Sequence, residues 1–298
     1  MRILAIDTAL PAVSVCVLDI DSDEPLAIET QPMERGHAEA LAPMIERVVN
    51  ATPGGFASIT RVAVTVGPGS FTGIRIGLAA AQAIALARKI EIVGVSTLSA
   101  LAAPMVLEPF EGVLAAAIDA RHDQVYATAF GPDGRTLLSA RRCSAHEALR
   151  ALGDSSLNLV GSGAALLARQ ARSSGARVKI VNETAAPDII YVARLGFAAQ
   201  PATAPARPLY LKPPDAKPLD VKPLEPRVEV APTVGATPPA EPPAPPPALA
   251  EPSPQEAVAQ GVAPESAAHE VAPVILAHDV AHEPAPPSEP ALADAATS

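Results

Sequence analysis

The residues with the clearest chemical potential form a glycine-rich run, Gly67-Pro68-Gly69-Ser70-Phe71-Thr72-Gly73, between an apolar stretch at 62–66 and a long apolar segment reaching about residue 89. A glycine loop opening a helix can cradle phosphate with its backbone N–H groups. Neither common version is present, since Gly73 is followed by Ile74 rather than Lys and Gly67, Gly69, Gly73 and Gly77 do not have the G-x-G-x-x-G spacing. The competing reading is packing. Gly73, Gly77, Ala81 and Ala85 recur every four residues and form a flat ridge that admits a close neighbour. Two carboxylates, Asp7 and Asp119, stand at equivalent strand ends where a nucleotide-binding fold could place metal-linked groups. The turn after Asp7, Thr8-Ala9-Leu10-Pro11, lacks a glycine to wrap a phosphate, so a turn role competes. If a cofactor is held, Asp7, Thr8 and Ser70 are the candidates. His37 could act as a base, but no nucleophile accompanies it, and a capping or interface role suits the first turn of a helix. The spacing of His, Cys, Asp and Glu in the core contains no metal-type cluster.

These residues need strands and helices to position them. Residues 3–7 and 13–18 predict a hairpin and 26–30 a third strand. Residues 37–50 place Leu41, Met44, Ile45, Val48 and Val49 at helical spacing, and 62–66 reads as a buried strand before the glycine loop. The Ile118-Asp119-Ala120-Arg121 run followed by 125–130 then echoes Ile6-Asp7-Thr8-Ala9 followed by 13–17, at an offset of 112 residues. A helix near 144–152, a strand at 157–160, the loop Gly161-Ser162-Gly163, a helix from 164 to about 172 and a last helix at 188–199 complete a duplicated unit. An extended segment at 207–212 closes it at the edge of the fold.

Composition changes abruptly after residue 212. Residues 213–298 hold 21 of the 34 prolines and no Phe or Tyr, with 3 Lys+Arg against 13 Asp+Glu, while residues 1–212 are balanced at 19 against 19. The stretch has too few large apolar residues to offset ordering entropy, so it is expected to be a disordered Pro-rich acidic tail. The domain expectation is therefore 1–105, 106–212 and 213–298. A neutral core disfavours autonomous nucleic-acid binding and leaves room for a local basic patch. Two cysteines, no secretory h-region and no membrane-length apolar segment lead to the expectation of a cytoplasmic chain.

The segment 74–88 is apolar on all sides, with Ile76, Leu78, Ile84 and Leu86 around it and Gln82 alone interrupting between Arg75 and Arg88. Such a helix requires cover on all sides. One sheet supplies one face, so the first helix and a second polypeptide are the expected cover for the rest, which points to association.

The run 64–78, VTVGPGSFTGIRIGL, together with Leu4-Ala5-Ile6-Asp7-Thr8, Gly94-Val95-Ser96-Thr97-Leu98, Ile118-Asp119-Ala120-Arg121 and Tyr210-Leu211, resembles the bacterial TsaB (YeaZ-like) family over about residues 1–212. The resemblance implies a two-lobed α/β fold, the duplicated actin-like ATPase (ASKHA, ribonuclease H-like) architecture. It further implies a noncatalytic dimerisation subunit for tRNA N6-threonylcarbamoyladenosine (t6A37) synthesis, paired with the TsaD-like transferase through the first helices of the N-terminal lobe, with the TsaE ATPase docking on the pair. ATP and a metal would then belong to the complex and the partner subunit, tRNA would be met only through the complex, and the chain alone could form a homodimer. His37, Leu41, Met44, Ile45, Val48, Arg75, Ile76 and Gly77 become the expected interface, with Leu41 and Ile45 as exposed members. Where the catalytic paralogue has a metal-binding His-x-x-x-His pair, Thr97 and Leu101 stand here, and neither can replace an imidazole ligand. The alternatives are an actin-fold small-molecule kinase or phosphotransferase using Asp7, Asp119 and the two glycine loops, and a self-associating scaffold unrelated to tRNA. The resemblance assigns the tail no role.

Overall fold

The computed structural model describes residues 1–211 apart from 154 and 174; the expected tail lies outside the described residues. β1 (Arg2–Asp7) and β2 (Ala12–Asp19) form the hairpin, followed by β3 (Ala27–Pro32), α1 (His37–Asn50), β4 (Arg61–Gly67), α2 (Phe71–Arg88), β5 (Glu91–Ser96) and α3 (Thr97–Val106). The second half repeats the order as β6 (Val113–Asp119), β7 (Gln124–Phe130), β8 (Thr136–Ser144), α4 (Ala145–Leu152), β9 (Leu157–Val160), α5 (Ala164–Ser173), β10 (Val178–Asn182) and α6 (Ile189–Ala198). The first sheet runs β3-β2-β1-β4-β5 and the second β8-β7-β6-β9-β10. In each, the central strand is antiparallel to its hairpin partner and parallel to the strand after the first helix. The duplication expected from the 112-residue offset is therefore present in the topology, and the fold is the duplicated actin-like α/β arrangement.

The local chemistry sets the element ends. Ser70 opens α2 by accepting the Gly73 N–H at 3.2 Å. Ser144 and Glu147 form a reciprocal capping box on α4. Alternation along β1 sends Leu4 and Ile6 under α1 and α2, while Ile3 and Ala5 point to the other face, where α6 lies.

That second face shows a feature the spacing does not reveal. α3 packs mainly on β6 and β7 while still touching β4 and β5, whereas α6 returns from the second half to pack on β1, β2 and β4. Ile189, Val192 and Ala193 of α6 share a core with Ile3, Ala5, Cys16, Leu18, Ala63 and Val93. The last helix of the expected 106–212 lobe thus packs on the sheet of the first half. Arg61 ties the exchanged helix down, donating to the carbonyls of Gly196, Phe197 and Ala199 at 3.2, 3.0 and 3.2 Å. It closes the last turn, where carbonyls lack helical partners.

The closing segment is not a strand. It crosses the first lobe, with Leu209 N–H donating to Val66 O at 2.8 Å and Gly94 N–H donating to Ala204 O at 2.9 Å. Gly67 permits the approach, having φ +113° and a Cβ direction that would meet Leu209 O at 2.9 Å. Among the described residues, no helix is long and apolar enough to cross a membrane.

Candidate interaction site

The glycine loop is filled by the chain itself. Ser70 N–H donates to Ala9 O at 2.7 Å, and Thr8 Oγ1 donates to Gly73 O at 2.7 Å. A Cβ on Gly69 would collide with Ala9 O, one on Gly73 with Thr8 O, and one on Gly77 would stand 2.5 Å from Thr8 Oγ1. The glycine ridge therefore packs inside the lobe, against the β1–β2 turn. The volume that a phosphate would need between turn and helix holds Thr8 and Ala9.

The paired-carboxylate expectation separates into two unlike groups. Asp7 is fully buried; its Oδ1 accepts from Thr65 Oγ1 at 2.6 Å and from Ala9 N–H at 3.0 Å, and its Oδ2 has no partner. Burial pushes its carboxyl above the ordinary 3.8, opposed by the Thr65 and Ala9 hydrogen bonds. Asp119 is exposed, accepts from Arg121 N–H at 2.7 Å and donates its own N–H to Ser162 Oγ at 3.2 Å. Among the described residues, no three His, Cys, Asp or Glu gather where a metal could be held.

His37 is nearly buried, with Nε2 3.1 Å from Leu10 O, so it fastens α1 to the same turn. Leu41, Met44, Ile45 and Val48 are 2%, 0%, 5% and 3% exposed, in one core with Val13, Val15 and Val17. The expectation that Leu41 and Ile45 are exposed partner-facing residues is corrected. The apolar stripe of α1 is spent on its own sheet, and what α1 shows to solvent includes Glu39, Pro43, Glu46 and Arg47.

The outward surface is instead on α2. Phe71 is 51% exposed and Leu86 80% exposed, with Thr72, Arg75, Ala79 and Ala83 exposed between them and Ile76 half-buried. One turn-to-turn stripe of this helix is thus uncovered by its own lobe, contrary to the requirement that an all-round apolar helix be covered on all sides. At its first turn Phe71 stacks on Tyr210, ring centroids 5.4 Å apart at 27°, and the Arg75 guanidinium carbon lies 3.8 Å from the Phe71 centroid. Arg75 Nε donates to Tyr210 Oη at 3.0 Å. Of the expected interface only Arg75 and Ile76 stay accessible, and Gly77 is internal. Phe71, Leu86 and Tyr210, absent from the expected interface, are the exposed large residues here, and the apolar excess of α2 beyond what one sheet face covers is the signal that reveals Leu86.

With this geometry in view, the family relationships are direct. A family model described as TsaD, tRNA N6-adenosine threonylcarbamoyltransferase, matches residues 30–192. The chain is 31% identical over 175 residues to the "tRNA threonylcarbamoyladenosine biosynthesis protein TsaB" of Haemophilus influenzae, covering 55% of this chain and 72% of that protein. The chain belongs to the TsaB (YeaZ) family. The TsaB protein of Escherichia coli K12 is 39% identical over 126 residues, 42% of this chain, and the match spans only 53% of that protein. A Pseudomonas aeruginosa crystal structure, described as an uncharacterized protein with similarity to peptidase YEAZ, aligns with TM-score 0.57 at 26% identity, covering 71% of this chain and 99% of that one. The TsaB-type fold therefore accounts for the described part of the chain.

Proposed function

We propose that the chain serves tRNA threonylcarbamoyladenosine synthesis as a noncatalytic subunit, pairing with a TsaD-like transferase through the outward stripe of α2. The observation that carries this reading is the uncovered stripe from Phe71 to Leu86, an apolar surface continuous with an aromatic and arginine cluster of the kind enriched at interfaces. The names of the TsaB relatives support the pathway. The noncatalytic part rests on what occupies the two sites where chemistry would sit. Thr97 and Leu101, the positions that the resemblance matches to the transferase's histidine pair, are one turn apart on α3 and buried at 0% and 6%, and a hydroxyl and an isobutyl group supply no imidazole ligand. The glycine loop is filled by Thr8 and Ala9, which disfavours the phosphotransferase alternative. In this reading ATP and metal belong to the TsaE-like ATPase and the transferase, tRNA is modified by the complex, the cytoplasm is the site of action, and the free chain pairs with a second copy over the same stripe.

The test is capture of a TsaD-like subunit by the purified full chain, followed by threonylcarbamoyl transfer to a tRNA transcript with and without the chain. Capture together with chain-dependent transfer is expected. Failure of capture, or metal-dependent transfer or ATP turnover by the chain alone, overturns the reading.

A further inference from the structure

Residues 155–182 contain Arg169, Arg172, Arg177 and Lys179 and no Asp or Glu, within a first 212 residues that are balanced in charge. This stretch builds β9, α5 and β10, and β10 is the edge strand of the second sheet. A cavity of about 490 Å³ opens beside that edge. Its lining includes Met105, Phe110, Glu111, Asn158, Arg177 and Lys179. Asn158 Nδ2 donates to Glu111 O at 2.7 Å, which fixes Glu111 against β9.

Arg177 and Lys179 are exposed, and among the described residues neither has an ion-pair partner. Arg177, the residue before β10, and Lys179, within it, both line the cavity, and two positions along a strand span about 7 Å, a separation that successive phosphates of an extended strand can match. The cavity volume falls in the range of small-ligand sites, about 300–1,000 Å³. Its half-buried Phe110 offers a ring on which a base can stack.

We propose that this edge is a contact for single-stranded RNA, Arg177 and Lys179 taking neighbouring phosphates and one unpaired base entering the cavity against Phe110 and Met105. The identity of the RNA as tRNA rests on the function proposed above; the contact itself rests on the cavity and its cations. A fluorescent, unmodified tRNA transcript is titrated with the full chain, alone and mixed with a TsaD-like subunit, across a series of salt concentrations. Arg177→Glu with Lys179→Glu is expected to weaken binding at least tenfold and to lower the salt slope by about 1.4, from about 0.7 per single-strand phosphate contact. Phe110→Ala weakens binding without changing the slope. Arg135→Glu, at the turn beside the opposite edge strand β8, stays within twofold of wild type. Equal weakening by Arg135→Glu, an unchanged double variant, or AMP bound as tightly as the transcript overturns the contact. Capture of the TsaD-like subunit is measured on the same variants. Unchanged capture with weakened RNA binding isolates the contact, whereas a wild-type chain that fails to capture the subunit sinks the proposed function and leaves the contact to be decided by the chain alone.

Discussion

The hydroxyl of Thr8 donates to the carbonyl of Gly73 at 2.7 Å, so a β-turn and the first turn of a helix are locked together without room for a side chain between them. The place where a glycine loop could open as a phosphate cradle is a packed joint in this chain.

Gly77→Leu is expected to cost about 1–3 kcal/mol of folding stability, because its side chain must displace Thr8 Oγ1 and the neighbouring Val64. Urea melts of the purified variant measure the loss. A variant as stable as wild type means that the turn moves freely off the helix.

Leu86→Asp is expected to melt like wild type and Phe71→Asp slightly below it, having lost the stack on Tyr210, yet each should bind the transferase-type partner proposed above about 10- to 100-fold more weakly, removing about 1.5–3 kcal/mol of buried apolar contact. Leu41→Asp behaves oppositely, since Leu41 is 2% exposed in the lobe core, and it yields little folded chain. Partner binding retained by both α2 variants moves the interface to another surface.

Asp7 sets a pH dependence. Its carboxyl is raised above 3.8 by burial, so the folded chain keeps a proton that the unfolded chain has released. Its contribution to stability is present below the unfolded value, declines as pH rises from 3.8, and is lost once pH passes the folded value. The stability of Asp7→Asn relative to wild type should therefore rise between pH 4 and 7, measured by urea titration at each pH. A constant difference across that range contradicts the assignment.

Arg61→Met removes the donor group from three carbonyls at the end of α6 and from its ion pair with Glu91. A loss of about 1.5–3 kcal/mol is expected. Hydrogen exchange should show α6 opening before the strands of the first sheet, and uniform protection across both would place the cap elsewhere.

Much of this arrangement is legible from residue order. The α1 span agrees at both ends because Leu41, Ile45 and Val48 recur at helical spacing, and the two hairpins are recognisable because β-branched runs flank turns. Periodicity does not say whether that stripe meets its own sheet or another chain, and in the structure it faces Val13 and Val15. β8 and β10 carry no clear strand pattern because the polar residues of TLLSARRCS and VKIVN match their places at sheet edges, and α3 carries no helical one because TLSALAAPMV is apolar without a period. The exchange of α3 and α6 depends on which sheet each helix reaches, which is a property of three-dimensional closure rather than of local pattern.

That exchange constrains synthesis. As the chain emerges from the ribosome, strands β1, β2 and β4 are complete by Gly67, but the helix that shields Ile3, Ala5, Cys16 and Ala63 is not made until Ala198. At roughly 5–20 residues per second, the inner side of the first sheet stays uncovered for about 7–26 s while the second half is translated. Closure of this core therefore waits on a segment more than a hundred residues downstream of the sheet it covers.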